Sequence, residues 1–239
     1  MYERKAGGET TTFGVSGKLW KDALIMYDRA SRSLWSHVTG ECVQGEHEGE
    51  VLTVFPSVQT TWAEWKSAHP ETKVLLKDGD PEEGSRYRKY FDSPDRMGIF
   101  GTANSDDRLA GKDLVLGLRL GGETAAYAVK DLDEQGVVND EIGGEPVVIA
   151  WVKESRSAFV FRRQFNEIVL TFQPHFKDDK MYLKDDRSGA IWNATRGEAM
   201  GGPARGKQLR PLPSTQVFWF AWSSFFPRTK LWSPPQNEQ

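Results

Sequence analysis

The chain has 239 residues, a formal net charge of −3 and a single cysteine, Cys42. A negative net charge argues against a protein that binds nucleic acid by bulk electrostatic attraction, and one cysteine excludes an internal disulfide or a metal site built from cysteines alone. No apolar run approaches the roughly 20 residues that span a bilayer, and the polar segment 1–13 lacks the apolar core of a signal peptide. As written, the sequence predicts a soluble, cytoplasmic protein.

The first third of the chain is predicted to form strands followed by one short helix. Aromatic and β-branched runs separated by Gly, Ser and Asp-Arg turn residues predict strands at 11–17, 23–27, 33–38 and 50–55. Thr61 and Glu64 form a capping-box pattern at the start of the helix. Pro70 disfavours helical backbone at His69 and therefore ends it.

The middle of the chain, 76–144, begins with a long charged loop at 77–98, a kind of surface segment that often carries function. The patterns that follow predict strands at 113–120 and 123–129, a helical turn at 130–135 and a hairpin over 136–152. The turn of that hairpin is expected near Asp140 and Gly143-Gly144.

The sequence contains an internal repeat. Residues 28–75 align with 185–232 at an offset of 157 without a gap, and 17 of the 48 positions are identical. The identities include three tryptophan pairs, which are Trp35 with Trp192, Trp62 with Trp219 and Trp65 with Trp222. With a slip of two residues, Thr12-Phe13 also aligns with Thr171-Phe172. Two copies of one supersecondary unit are therefore predicted to bury similar faces about a pseudo-twofold axis.

These elements predict an α+β fold that is predominantly β, in which two pseudo-symmetric, strand-rich copies each end in a short tryptophan-containing helix. We expect a single domain at 1–232, made of copy one (2–75), a connector (76–144) and copy two (145–232). The tail at 233–239 is expected to be disordered.

The paired tryptophans of the two predicted helices are interpreted first as core anchors. Trp62 and Trp65 lie three residues apart and so share one helix face, as do Trp219 and Trp222. If these tryptophans are buried, Trp65→Ala and Trp222→Ala should each lower the free energy of unfolding by about 3–5 kcal/mol. The alternative is a stacking platform for a sugar or a base.

Several ordered blocks of the sequence resemble one prokaryotic family, called domain of unknown function 3179. The blocks include "TFGVSGKLWKDALIMYDRASRSLWS", "TTWAEWKSAHPETKVL", "GVVNDEIGGEPVV" and "FWFAWSSFFPRTKLW", and the match extends over nearly the whole chain. The resemblance implies no activity. It does imply that relatives are often exported or membrane-anchored, and that a Tyr-Cys-Pro-x-Cys-Gly-like strand normally precedes the segment matching "TFGVSG". This chain has no such stretch.

A metal site is one reading of the reactive residues in copy one. His37, Cys42 and His47 align with alanines in copy two, so a shared scaffold does not explain them. Imidazole and thiolate are ligands that zinc and copper prefer, and a hairpin could bring these three together. The alternative is drift at surface positions, since the spacing matches no established motif.

Four residues are predicted to contact a ligand: Tyr27, Arg29, His37 and His69. Arg29 follows an apolar strand and aligns with Asp186, so it differs between the copies. No catalytic motif is recognised, and the favoured hypothesis is a binding or interaction domain of the cell-envelope type, with a small molecule or a protein as its partner. The alternative hypothesis is a metal-dependent or redox enzyme with its site in copy one.

The start of the chain generates a further expectation. With the two-residue slip, Tyr2 and Arg4 match Phe161 and Arg163, so Met1 falls within the second strand of a hairpin whose first strand is absent. We expect a truncated chain, which would place the protein in the cell envelope, or a domain that borrows a strand. An open edge at 2–5 would then favour strand-mediated self-association.

Overall fold

A computed structural model describes residues 1–75, 88–98, 100–165 and 167–235. Strands dominate and the helices are short, which confirms the predominantly β, α+β class. The predicted loop at 77–98 and tail at 233–239 lie partly outside the described residues, at 76–87 and 236–239. In the described ranges, no helix is long and apolar enough to cross a membrane.

The elements follow the predicted order with small shifts at their ends. The strands are β1 (Lys5–Ala6), β2 (Glu9–Thr10), β3 (Phe13–Trp20), β4 (Ala23–Asp28), β5 (Leu34–Ser36), β6 (Cys42–Gln44), β7 (Leu114–Leu120), β8 (Glu123–Ala128), β9 (Val137–Ile142), β10 (Glu145–Val152), β11 (Ser157–Arg162), β12 (Gln164–Phe165), β13 (Ile168–Val169), β14 (Phe172–Lys177), β15 (Lys180–Asp185), β16 (Ile191–Asn193), β17 (Ser214–Phe218) and β18 (Lys230–Leu231). The helices are α1 (Trp62–Ala68), α2 (Arg88–Phe91), α3 (Val129–Gln135) and α4 (Trp219–Phe225).

One predicted strand is absent. The segment 50–55 forms no ladder, because it pairs with two different partners in turn. Val51 bridges Glu41, and Val54 bridges Tyr2. Each contact is a single bridge, so the apolar pattern correctly identifies a paired segment but not a continuous strand.

The chain divides into two compact units. The described residues of unit one are 1–57, 88–98, 100–113 and 217–228, and those of unit two are 58–75, 114–165, 167–216 and 229–235. Unit one thus holds the strands of copy one and helix α4, whereas unit two holds most of the strands of copy two and helix α1.

Unit one is built on the antiparallel sheet β3-β4-β5-β6. One face of this sheet packs on a small core of Ala6, Trp35, Cys42 and Leu52, with Phe13 and other half-buried residues at its edge. Because side chains alternate along a strand, the residues between these core positions point to the opposite face. That second face forms the groove described below.

Unit two is organised around β10, which lies between β9 and β11. Val147, Ile149 and Trp151 pack into one hydrophobic cluster, and Val148 and Ala150 pack into another. A strand that is covered on both faces needs apolar residues at consecutive positions rather than at alternate ones. This explains the uninterrupted apolar run "PVVIAWV".

The two copies share their hydrogen bonding as well as their sequence. The amide of Ser36 donates to the Glu41 carbonyl at 2.8 Å, and at the offset of 157 the amide of Asn193 donates to the Glu198 carbonyl at 2.7 Å. At an offset of 159, the hairpin β1-β2 has the same register as β12-β13.

The alignment offset between the two copies changes from 159 to 157 at a β-bulge. The pairing of β3 with β4 shifts between Val15 and Leu19, and Gly17 in this stretch has a φ of +74°. The equivalent pair β14 and β15 keeps a regular register. The two extra residues of copy one therefore lie in the bulge of β3, and they explain the two-residue slip in the sequence alignment.

A glycine is required at one equivalent turn position of both copies. Gly40 has a φ of +74°, and a Cβ there would lie 2.6 Å from the Tyr2 ring. Gly197 has a φ of +66°, and a Cβ there would lie 2.7 Å from the Phe161 ring. A positive φ and a ring against the backbone both favour glycine.

The tryptophan helices agree with the prediction in local structure but not in burial. Thr61 caps α1 by accepting the Glu64 amide at 3.3 Å, and the helix ends at His69, as predicted. The interpretation of its tryptophans as core anchors is wrong, because Trp62 is 53% and Trp65 is 40% exposed. In α4, by contrast, both tryptophans are buried.

The difference in burial follows from the neighbours on each helix. Helix α4 carries Phe220 and Phe225 where α1 has alanines, and its Phe226 replaces His69. Phe225 packs edge-to-face on Trp20 at 5.3 Å. Helix α4 has apolar residues at five of its seven positions and no charged residue, and it is buried, whereas α1 has Glu64 and Lys66 beside its tryptophans.

Truncating the two equivalent tryptophans is expected to have unequal effects. Trp222→Ala should lower the free energy of unfolding by about 3–5 kcal/mol, because it opens a cavity under a buried helix. Trp65→Ala should cost about 1 kcal/mol, since the side chain is 40% exposed and its described contacts are a hydrogen bond to Thr72 and a ring contact with His69. Urea unfolding of both variants tests this, and equal losses would contradict it.

Candidate functional site

The face of the unit-one sheet that points away from its core carries a groove. In the register of the sheet, Gly14, Tyr27, Leu34 and Gln44 lie side by side in one row across β3, β4, β5 and β6. A Cβ at Gly14 would lie 2.7 Å from the Tyr27 ring, so the ring lies against the bare glycine backbone. This row forms the floor of the groove.

The groove is open and has a volume of about 510 Å³. Its described lining consists of the residues Val15, Ser16, Lys18, Tyr27, Arg32, Leu34, Gln44 and Gly45. These residues combine apolar side chains with two cations and include no carboxylate. We call this surface the unit-one groove.

Two guanidinium groups lie against the Tyr27 ring. The Arg32 guanidinium is 4.1 Å from the ring centroid and that of Arg29 is 5.7 Å away. Arg29 also donates to the Phe13 carbonyl at 2.6 Å and to the Thr12 hydroxyl at 3.3 Å, so it ties the end of β4 to the start of β3. The structure therefore brings Tyr27 and Arg29 together, as two of the four predicted ligand residues.

The turn that carries Arg32 is held by the buried carboxylate of Asp28. It accepts the Ser31 amide at 2.6 Å, the Ser31 hydroxyl at 2.7 Å and the Trp35 indole N–H at 3.0 Å. Burial by itself would raise the pKa of Asp28, but the hydrogen bonds from Trp35 and Ser31 stabilise the carboxylate and hold the pKa below its ordinary value of 3.8. The carboxylate is a structural anchor.

The two predicted histidine contacts lie elsewhere. His37 is exposed and its Nδ1 lies 2.7 Å from the Leu24 carbonyl, and it does not line the unit-one groove. His69 belongs to unit two, where its ring lies 4.2 Å from that of Trp65. Neither histidine joins Tyr27 in the described lining of the groove.

The predicted metal ligands are occupied by other contacts. Cys42 is buried and its thiol donates to the Gln44 carbonyl at 3.5 Å, while burial raises the pKa of that thiol above 9.0. His47 pairs with Glu50 at 3.1 Å. Across the ranges that the structure describes, no three His, Cys, Asp or Glu side chains are grouped as a metal ion would require. The set His37, Cys42 and His47 remains a prediction from sequence without geometric support.

The family comparison covers almost the whole chain. The family model described as "Protein of unknown function (DUF3179)" matches residues 1–229. The chain belongs to the DUF3179 family. No curated protein and no solved structure matches it.

Sequence reasoning about this DUF3179 protein missed Arg32 and Lys18. Arg32 could have been found from the repeat, since it aligns with Gly189, whereas Lys18 lies in the β3 bulge, where the two copies differ in length. The histidines and the cysteine of copy one also differ from copy two, and they are the residue types that suggest metal binding or catalysis. A binding surface made of arginine, lysine and tyrosine has no such motif.

Replacing Asp28 should make the stability of the DUF3179 protein less dependent on pH. Because the pKa of Asp28 is lowered in the folded state, its stabilisation is fully present well above pH 3.8 and is lost as the pH falls through the folded-state pKa. Asp28→Asn should lower the free energy of unfolding by about 2–3 kcal/mol at pH 7. The difference in this free energy between the variant and the wild type should become smaller below about pH 4.

Urea unfolding at a series of pH values measures this gap. Asp186→Asn, which changes an exposed carboxylate in the second copy, is the matched control and should shift stability by about 0.5 kcal/mol or less. A gap for Asp28→Asn that stays constant down to pH 2 would show that the carboxylate charge is not the stabilising feature.

Proposed function

We propose that this DUF3179 protein is a ligand-binding domain and that the unit-one groove is its binding site for a small molecule. The observation that carries the proposal is the row Gly14–Tyr27–Leu34–Gln44, which places an aromatic and an aliphatic side chain on the floor of an open, cation-bearing groove. Small-molecule sites combine apolar walls with a few polar groups in this way.

The second copy supports a functional reading of this row. At the same register positions of β14, β15 and β16 it has Gln173, Lys184 and Ile191. The strand pairing there is equivalent, so neither the aromatic ring nor its glycine partner is needed to build this type of sheet. A feature that the scaffold does not need calls for another explanation, and ligand contact is the one we propose.

The residues that line the unit-one groove favour a binding function over a catalytic one. Among the described residues that line the groove there is no His, Cys, Asp or Glu to act as a general acid or base. Ser16 is the only lining hydroxyl besides Tyr27, and it donates to the Ile25 carbonyl at 2.5 Å. Of the residues proposed from sequence, Tyr27 and Arg29 remain in the proposal, Tyr27 as a contact and Arg29 as a support. The site would work in either cytoplasm or cell envelope.

A fragment library screened by two-dimensional NMR on the labelled protein tests the proposal. Binding fragments should shift the amide signals of Val15, Ser16 and Gln44. Tyr27→Ala should weaken these fragments about fivefold to tenfold, because it removes the ring surface.

Lys184→Ala is the matched control, since Lys184 has the position of Tyr27 in the second copy. It should leave the affinities unchanged. Fragments that bind only at other surfaces, or bind the groove equally well after Tyr27→Ala, would show the proposal wrong.

A further inference from the structure

We infer that the unit-one groove recognises an anionic group, a carboxylate or a phosphate, through Arg32, and that this group belongs to a small molecule with an apolar body. The inference rests on the proposed function, because it assigns a ligand class to the same groove. Three observations carry it: Arg32 stands where the equivalent turn of the second copy has glycine, no described carboxylate pairs with its guanidinium, and the described lining is positively charged.

Arg32 occupies a backbone conformation that favours glycine. Its φ is +65°, and the equivalent residue of the second copy, Gly189, has a φ of +69°. Both amides donate to the carbonyl of the preceding turn aspartate, Arg32 to Asp28 at 3.1 Å and Gly189 to Asp185 at 2.8 Å. The two turns are the same, but copy one has a bulky residue where the left-handed backbone disfavours any Cβ. Five other non-glycine residues of the described chain also have a positive φ, so the strain by itself is not specific to a binding site. The feature to be explained is the arginine in copy one at a turn position where copy two has glycine.

The Arg32 side chain is positioned to bind a ligand rather than to stabilise the fold. Its exposed guanidinium lies 4.1 Å from the Tyr27 ring centroid. Among the residues that the structure describes, no carboxylate forms an ion pair with Arg32. A guanidinium that rests on a ring keeps its N–H groups available, and their fork matches a carboxylate or a phosphate. Arg29, by contrast, donates from its Nη1 to the Phe13 carbonyl and the Thr12 hydroxyl and is a positioning residue.

The rest of the described lining fits an anion attached to an apolar group. Lys18 supplies a second cation, and no lining residue supplies a negative charge. Val15 and Leu34 offer an apolar surface beside the cations. The second copy lacks both the arginine and the tyrosine.

The test compares benzoate and phenyl phosphate with benzamide, the neutral counterpart of benzoate, by NMR titration of the full-length protein. Both anions should shift the groove signals, benzamide should bind about tenfold more weakly or not at all, and added salt should weaken the anions. Whichever anion binds more tightly identifies the group as carboxylate or phosphate.

Arg32→Gly is the decisive variant, because it copies the residue of the second turn. It should weaken the anions about tenfold while leaving the melting temperature unchanged or higher, since glycine relieves the left-handed backbone. Arg156→Gly is the matched control: Arg156 is an exposed arginine with a φ of +50° outside the groove, and its replacement should not change binding. Arg32→Gln, which keeps a side chain without the charge, should also weaken the anions and serves if the glycine variant is unstable.

The possible failures are distinguishable. If benzamide binds as tightly as benzoate, or if Arg32→Gly and Arg32→Gln bind the anions like wild type, the anion inference is wrong but the groove remains a binding site. If neither anion shifts the groove signals while neutral fragments do, the inference is also overturned. If no anion and no fragment shifts those signals, both the inference and the proposed function are wrong.

Discussion

The turn of unit one depends on one buried carboxylate. Asp28 accepts three hydrogen bonds, two from Ser31 and one from the indole of Trp35, and this arrangement connects the end of β4 to the core. A buried charge is stable only when it is fully hydrogen-bonded, so the turn has little freedom to change shape. The groove residue Tyr27 lies immediately before this carboxylate and Arg32 lies four residues after it. The same interaction that stabilises the core therefore presents the proposed binding residues on the opposite face of the sheet.

The second copy shows which parts of this arrangement are structural. Asp185 holds an equivalent turn through the Arg187 amide and the amide and hydroxyl of Ser188. The Trp192 indole N–H, however, has no partner within the described chain, whereas Trp35 uses its own on Asp28. The indole bond to the turn aspartate is thus found only in the turn that carries Arg32, of the two equivalent turns described here. A fold that contains the same unit twice can keep one copy as scaffold and adapt the surface of the other.

Of the four residues predicted to contact a ligand, Tyr27 belongs to the described lining of the unit-one groove, and Arg29 lies beside its ring. Histidine and cysteine side chains predict a metal site because both can ligate metal ions, yet Cys42 packs in the core and His47 pairs with Glu50. The groove instead combines residue types that are common on protein surfaces. Nothing in their spacing marks Lys18, Leu34 and Gln44 as neighbours, because strand register and not sequence distance brings them to one face.

The sequence by itself determined the features that depend on neighbouring residues: the strand-rich pattern, the Gly143-Gly144 turn, the cap of α1 by Thr61 and the repeat with its two-residue slip. Local hydrogen bonds and backbone preferences act over a few residues, so short sequence motifs are enough to predict them. Only the tertiary structure decided burial and assembly. Equivalent tryptophans are exposed on α1 and buried on α4, and the segment at 50–55 pairs with two partners instead of forming a strand. These outcomes depend on packing between segments that are far apart in the sequence, and a local sequence pattern does not predict such packing.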